Sequence, residues 1–318
     1  MARYIVRRLV IALVAIYAVV TLLFLFIHLI PGDPAELLLS GGGSSVPSPA
    51  AVAAMRHALH LDEPIGVQYS SYLGGLIHLD LGHSFTSGRP VWADVTQRLP
   101  RTLELVVLAT MLGVLVGVPL GTLAALRQGR GADVLASLVA SSGIAIPIFV
   151  VGTVLSLVVG VDLGWLPASG YTAFSSAPLS NVQDVILPAT SIAFGLIAVV
   201  ARMTRSSVLE VLHQDWVRTA RAKGLSRATV LARHVLRNAI SPVMTVVGLQ
   251  MGALLGGTVL VEYIFNWPGM STLLITAISR RDYPTVQGVV LVASAFIIFI
   301  NLGVDLLYGF LDPRIQQR

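Results

Sequence analysis

Lys223 is the only lysine in the chain, and a P-loop ATPase needs a lysine to reach the phosphates of its nucleotide. Its neighbours are Ala222 and Gly224, so the pattern Gly-x-x-x-x-Gly-Lys-Ser/Thr does not occur. We therefore expect this chain to carry no ATP-hydrolysing site and not to be an enzyme itself. Any work that it does must draw its energy from another polypeptide or from an ion gradient.

Residues that could hydrolyse a substrate or hold a metal do not form a recognised pattern. Seven histidines are present, but His-Glu-x-x-His, Gly-x-Ser-x-Gly and Gly-x-Ser-Gly are absent. Cysteine is absent too, which excludes disulfides, thiolate nucleophiles and Cys-ligated metals. His57 and His60 could share a helix face as metal ligands, although a solvated pair beside Arg56 is the simpler interpretation. We predict no catalytic residue and no metal site.

Two carboxylates lie inside apolar stretches, where an ionisable group is costly and is therefore a candidate for function. Glu104 and Asp305 are each only a turn or two from the end of their stretch, so their side chains can reach the interface. A proton-coupled carrier would use a chain of buried carboxylates, and the sequence has none. This favours an ATP-driven process over a gradient-driven one.

The elements that must position these residues are membrane helices. Of the 318 residues, 55% are hydrophobic and 12% are charged, against about 45–50% and about 25% in soluble domains. The mean hydropathy of +0.82 excludes a soluble globular enzyme. A helix needs about 20 apolar residues to cross the hydrocarbon core. Six stretches qualify, near residues 9–30, 102–126, 134–160, 185–201, 240–261 and 285–310.

Basic residues give the orientation of these spans. If the amino terminus is cytoplasmic, 15 of the 21 basic residues fall on the inside, and both termini are inside. Residues 31–100 are then external with a net charge of −3, and residues 202–237 are cytoplasmic. The basic character of the chain is thus an orientation signal and does not indicate a nucleic-acid partner.

Glycines repeat at fourfold spacing in two spans, which predicts close helix packing or a gating surface. The second span contains Gly113, Gly117 and Gly121, and the fifth contains Gly248, Gly252 and Gly256. Gln250 lies beside the second stripe, where we expect its amide to face protein or the transport pathway.

Prolines should bend two of the spans. We expect kinks at Pro119 and Pro147, because each proline removes a backbone hydrogen bond. The stretch after Pro64 predicts an amphipathic helix on the membrane surface, because apolar residues are interspersed among polar ones at positions 67, 69, 72, 73, 76 and 77.

The connection between spans four and five predicts a short helix, a tight turn and a second helix. Gly224 suits the position after a helix end, and Ser226 can cap the next helix. Ala220, Ala222 and Gly224 are small, so a partner surface could approach this helix closely. The alternative is a basic loop that only anchors the chain at lipid headgroups.

These residues resemble a known family. Thr-Ala-Arg-Ala-Lys-Gly-Leu at 219–225, with His234, Leu-Arg-Asn at 236–238 and Pro242, is similar to the cytoplasmic loop of bacterial ABC importer permeases of the dipeptide/oligopeptide/nickel branch. That superfamily generally has Glu six residues before the glycine, where this chain has Arg218. Further similar segments are Leu-Ile-Pro-Gly-Asp-Pro at 29–34, Asp-Leu-Gly-His-Ser at 80–84, Gly-Trp-Leu-Pro-Ala-Ser-Gly-Tyr at 164–171, Asn-Trp-Pro-Gly-Met at 266–270 and Arg-Asp-Tyr-Pro at 281–284.

The resemblance implies an all-α integral membrane protein with the type I ABC importer permease fold and six transmembrane helices. It implies one permease domain over 1–318, with the first helix at 1–30, an external segment at 31–100, a five-helix core at 101–310, a coupling loop at 213–227 and a cytoplasmic tail at 311–318. In that family the loop docks into a groove of the ATPase. The coupling residues so implied are Asp215, Arg218, Thr219, Ala220, Arg221, Ala222, Lys223, Gly224 and Leu225.

The implied function is a permease subunit of a short-peptide importer in the bacterial inner membrane. Its implied partners are a second homologous permease, two ATPase subunits that bind ATP and Mg²⁺, an external substrate-binding protein and the lipid bilayer. This chain itself would carry no cofactor. The motifs do not separate peptides from nickel, glutathione or other small solutes. A membrane enzyme or receptor that transports nothing is the alternative from a different class.

Overall fold

The computed structural model describes residues 2–29, 33–39, 47–58 and 61–311, and within these ranges the chain is helical with no β-strand. The helices are α1 (Ala2–Leu29), α2 (Pro34–Leu39), α3 (Pro49–Ala58), α4 (Ile65–Ile77), α5 (Val91–Leu126), α6 (Gly131–Ala145), α7 (Ile148–Leu155), α8 (Pro178–Leu212), α9 (Asp215–Ala222), α10 (Arg227–Thr229), α11 (Arg237–Gly257), α12 (Val259–Ile264), α13 (Met270–Ser279) and α14 (Tyr283–Leu311). Wider π-helical turns follow α7 over Ser156–Asp162 and α10 over Val230–Leu236. His60 and the predicted tail beyond residue 311 lie outside the described residues.

The described helices confirm the predicted all-helical membrane architecture. Five are long and apolar enough to cross a membrane: α1, α5, α8, the continuous stretch from α10 to α11, and α14. The remaining predicted span, the third, is a bent pair, Asp133–Ala145 and Ile148–Asp162, with an angle of 101° between its two arms. Each of the six predicted apolar stretches therefore corresponds to a helix or to this bent pair.

Pro147 breaks the third span instead of only kinking it. Ile146 is extended, with φ −83° and ψ 122°, because a residue that precedes proline is disfavoured in the helical region. The Ile146 N–H still donates to the Ser142 carbonyl at 2.9 Å, so α6 ends with its last turn closed. By contrast, α5 continues through Pro119, and α8 and α11 contain Pro188 and Pro242.

The described residues form two compact units. The first comprises residues 2–8, 102–267 and 299–311, and α8 is its central helix, with α6, α7 and α11 packed against it. Leu105, Ile192, Phe265 and Trp267 are buried in its main apolar cluster. A bilayer provides little hydrophobic drive between helices, so small residues that permit close approach matter more here than apolar area does.

The second unit comprises residues 9–29, 33–39, 47–58, 61–101 and 268–298. Its apolar cluster contains the buried side chains of Val91, Val95, Met270 and Val289. The predicted helix after Pro64 is confirmed as α4, and it contacts α1 through a 2.7 Å hydrogen bond between the hydroxyls of Thr21 and Tyr69.

A buried carboxylate joins two segments of the second unit. Asp282, which is 3% exposed, accepts hydrogen bonds from Ser84 Oγ at 2.5 Å, the Phe85 N–H at 3.0 Å and Thr86 Oγ1 at 3.0 Å. Thr285 Oγ1 donates to the same carboxylate at 3.0 Å. The motifs at 80–84 and 281–284 are thus parts of one polar contact.

Candidate functional site

The candidate site is built on α9 and on the turn that follows it. Gly224 has φ +80°, a backbone conformation that side chains other than glycine rarely adopt. The Gly224 N–H donates to the Arg221 carbonyl at 3.0 Å, and the Leu225 N–H donates to the Ala220 carbonyl at 3.4 Å. This pair of bonds is the Schellman pattern of a helix end, and it confirms the turn predicted at Gly224.

The chain re-enters a helix immediately after the turn. Ser226 is extended, and its Oγ accepts the Thr229 N–H at 3.2 Å, as an N-cap residue does. The helix then continues through the π-helical turns Val230–Leu236 into α11. The predicted order of helix, turn and returning helix is confirmed.

One face of α9 is anchored in its own chain. Val217 is fully buried and Ala220 is 7% exposed. Both belong to an apolar cluster with residues from α5, α8, the π-helical turns and α11: Ala125, Val208, Val230, Val235 and Ala239. Our expectation that Ala220 offers its small side chain to a partner is therefore corrected, because that side chain fills a gap inside the subunit.

The opposite face of α9 is exposed. Trp216 is 42% exposed, and Leu225, just beyond the turn, is 41% exposed. The other exposed residues from the predicted coupling set are Asp215, Arg218, Thr219, Arg221, Ala222, Lys223 and Gly224. The Arg218 guanidinium lies 3.6 Å from the Asp215 carboxylate. Because both side chains are highly exposed, this ion pair adds little stability and does not hold either side chain in place. The surface thus offers an indole, cationic groups and small residues to whatever covers it.

A groove of about 670 Å³ runs beside this exposed face. Its walls come from the ends of α5 and α8, the α9 turn and the start of α10, and they include Leu126, Leu212, Arg221, Leu225 and Arg227. Together with the exposed face of α9, the groove forms a continuous apolar and basic surface, which we call the α9 surface.

The first glycine stripe packs α5 against α8. A Cβ at Gly113 would lie 2.5 Å from Leu196 Cδ2, and one at Gly117 would lie 2.8 Å from Val200 Cβ. At Gly121 it would overlap the Ala201 carbonyl oxygen. Only glycine allows these two backbones to approach so closely.

The second stripe is not uniform along α11. A Cβ at Gly248 would overlap Val304 of α14, and Gly252 is buried. Gly256 is exposed and would meet no described atom within 4 Å, so this end of the stripe is not used for packing within the described chain. Gln250 is half-buried beside it.

Several polar contacts escaped the sequence-based interpretation. Arg205 pairs with Asp133 through two hydrogen bonds of 2.6 and 2.9 Å. Glu262 is fully buried and accepts a 2.6 Å hydrogen bond from Thr102 Oγ1. Glu104 interacts with the Asn181 side chain of α8.

Two further motif segments meet in the first unit. The rings of Tyr171 and the buried Trp267 pack in a T-shaped arrangement, with centroids 4.8 Å apart. The Gly170 N–H donates to the Phe265 carbonyl at 2.9 Å, and the Trp267 N–H donates to the Glu262 carbonyl at 2.8 Å. The motifs at 164–171 and 266–270 each contain tryptophan and glycine and lie between predicted spans. They could have suggested this contact.

Residues 117–317 match the family described as binding-protein-dependent transport system inner membrane component, and residues 1–106 match the N-terminal segment of such components. The chain therefore belongs to this family, and it is a multi-pass protein of the inner membrane and a permease subunit of an ABC importer. This confirms the resemblance that the loop and the motifs indicated.

Individual relatives share the full length of the chain. A dipeptide transport system permease protein of Escherichia coli strain K12 is 42% identical over 341 aligned residues, which cover 100% of both chains. A di/tripeptide transport system permease protein of Pseudomonas aeruginosa strain UCBPP-PA14 is 42% identical over 338 residues, again covering 100% of both. A glutathione transport system permease protein of Salmonella typhimurium strain LT2 is 40% identical over 318 residues, with 100% of both covered. A solved amino acid ABC transporter, crystallised with histidines, aligns with a TM-score of 0.49 and 17% identity over 70% of this chain and 94% of that one.

Proposed function

We propose that this subunit forms half of a transmembrane pathway for short peptides. The observation that carries the proposal is the full-length identity of 42% to permeases named for dipeptides and di/tripeptides. Glutathione is itself a tripeptide, so the 40% identity to a glutathione permease supports the same substrate class. Nickel or another small solute is the alternative that the motifs leave open.

The proposed partners follow from the family's dependence on a binding protein. The subunit pairs with a second, homologous permease and receives substrate from an external binding protein. Two ATPase subunits bind ATP and Mg²⁺ and supply the energy, and this chain contributes no nucleotide or metal ligand of its own.

The α9 surface is the proposed docking site of an ATPase subunit. The buried side chains of Val217 and Ala220 hold α9 to the permease, so its outer face can present Trp216, Arg218 and Ala222 in fixed positions. A helix that merely anchored the chain at headgroups would not need a buried face of its own. Closure of the ATPases would push on α9, and the permease pair would alternate between outward-open and inward-open states.

The orientation proposed is the one that places the basic segments inside. The chain contains no cysteine, so single cysteines can report it directly. We expect an impermeant thiol reagent to label Ser70→Cys in intact cells and to label Arg227→Cys only after permeabilisation, since both positions are exposed. Labelling of position 227 but not of position 70 would overturn the orientation.

Substrate class is tested on the assembled complex in vesicles. ATP hydrolysis and uptake are measured with the binding protein present and with dipeptides, tripeptides, glutathione or Ni²⁺ as substrate. Stimulation by peptides supports the proposal. Stimulation by Ni²⁺ alone, or the absence of coupled uptake with every substrate, refutes it.

Docking is tested by adding bulk to the exposed face of α9. Ala222→Trp projects from that face, so we expect the variant to insert and pair normally but to lose its ATPase subunits on co-purification. The matched control is Ala232→Trp, which adds the same side chain at an exposed alanine in the π-helical turns outside α9. Normal ATPase retention in Ala222→Trp would show that α9 is not the docking site.

A further inference from the structure

A cleft of about 430 Å³ lies between α5, α6 and α8 and is separate from the α9 surface. Half of its lining residues are alanine or glycine, whose small size leaves the space open. Its polar lining consists of the hydroxyls of Ser137, Ser141 and Ser206 and the guanidinium groups of Arg202 and Arg205. Among the described residues, no carboxylate lines the cleft.

The two arginines are not equivalent. Arg205 Nε and Nη2 donate to the two oxygens of Asp133 at 2.6 and 2.9 Å, and Asp133 Oδ2 also accepts the Gly129 N–H at 2.9 Å. Asp133 therefore compensates the charge of Arg205 and fixes its position. Arg202 is exposed, and within the described part of the chain it forms no ion pair, so its charge is available to an anion.

The depth of the cleft places it at the edge of a bilayer. Arg202 directly follows the apolar run of α8, and the cleft opens where the basic connection at residues 127–130 joins α5 to α6. On α6 the cleft is lined from Ala136 to Ser141, a rise of about 7–8 Å, so it extends from headgroup level toward the hydrocarbon. A ligand that fills it needs an anionic head and an apolar tail.

We propose that this cleft binds an anionic phospholipid. The headgroup phosphate pairs with Arg202 and accepts hydrogen bonds from the serine hydroxyls, while one acyl chain lies along the alanine and glycine walls. A lipid with net negative charge fits better than one with an added amine, because Asp133, the carboxylate beside the cleft, is already paired with Arg205. The proposal does not depend on which solute the transporter carries.

The test uses the assembled transporter in nanodiscs of phosphatidylcholine with a fixed fraction of phosphatidylglycerol. Native mass spectrometry counts the phosphatidylglycerol molecules that remain bound. We expect Arg202→Gln to weaken retention about tenfold, as loss of one charge-assisted hydrogen bond does. Arg202→Lys should retain an intermediate amount. Arg237→Gln, at an exposed arginine that does not line the cleft, should retain as much as the unaltered protein.

Three outcomes would overturn the proposal. The first is equal phosphatidylglycerol retention by Arg202→Gln and the unaltered protein. The second is displacement of the lipid by millimolar inorganic phosphate, which would make the cleft a simple anion site. The third uses Ser137→Leu, which fills the cleft: loss of the second permease with unchanged lipid retention would identify a protein interface. Melting temperatures in pure phosphatidylcholine show whether each variant is folded.

Discussion

The contact between α5 and α8 gives the sharpest stability prediction. At Gly121 an added Cβ would overlap the Ala201 carbonyl oxygen and lie 2.7 Å from Thr204 Cβ and 3.0 Å from the Arg205 nitrogen. Two of these three atoms belong to the backbone, so no side-chain rotation relieves the clash and the helices must separate. Overpacking of this kind costs about 1–3 kcal/mol, whereas replacing a helical glycine with alanine gains about 0.5–1 kcal/mol. We expect Gly121→Ala to be destabilised on balance.

Two further variants calibrate the effect. Gly113→Ala meets the Leu196 side chain, which can partly move, so its loss should be smaller than that of Gly121→Ala. Gly256→Ala meets no described atom within 4 Å and should be neutral or slightly stabilised. Thermal unfolding of the purified protein in detergent, followed by size-exclusion chromatography, measures all three. Equal stability of Gly121→Ala and Gly256→Ala would refute the close packing of α5 on α8.

Three other experiments test polar and backbone features. Asp282→Ala removes the carboxylate that accepts hydrogen bonds from the buried Ser84 hydroxyl and from the Phe85 N–H. It should lower the free energy of unfolding by about 1.5–3 kcal/mol, measured by denaturant titration in micelles; an unchanged midpoint would contradict this. In a double-mutant cycle, Arg205→Gln and Asp133→Asn should be less destabilising together than the sum of their separate effects, and additivity would show that the pair is not coupled. Gly224→Val should cost about 1–2 kcal/mol because of its positive φ, and Gly224→Asn should cost less, since asparagine tolerates that conformation; equal losses in thermal unfolding would argue against strain.

The membrane helices were predictable because a span of about 20 apolar residues is a one-dimensional signal. The turn at Gly224 was predictable for the same reason, since glycine and Ser226 act on their immediate neighbours. The 101° angle after Ile146 was not predictable, because proline excludes a straight helix but does not determine where the next segment goes.

The polar contacts were harder to predict because their partners are distant in sequence. Arg205 and Asp133 are 72 positions apart, and Ser84 and Asp282 are 198 apart. Nothing in the local sequence of any of these residues identifies its partner. The inward orientation of Ala220 could have been predicted, because Val217 and Ala220 are three residues apart and share a helix face. The small size of Ala220 was interpreted as access for a partner, although small residues serve internal packing equally well.

The buried face of α9 has a mechanical consequence. Because Val217 and Ala220 pack in one cluster with Ala125 of α5, Val208 of α8 and Ala239 of α11, α9 is not a tether that can swing while the membrane helices stay in place. A force applied to its outer face cannot be absorbed by bending of the connection, and it reaches the ends of three long helices at once. If an ATPase subunit docks on α9 as proposed, the stiffness of this small apolar cluster determines how much of the ATPase movement becomes helix movement within the bilayer.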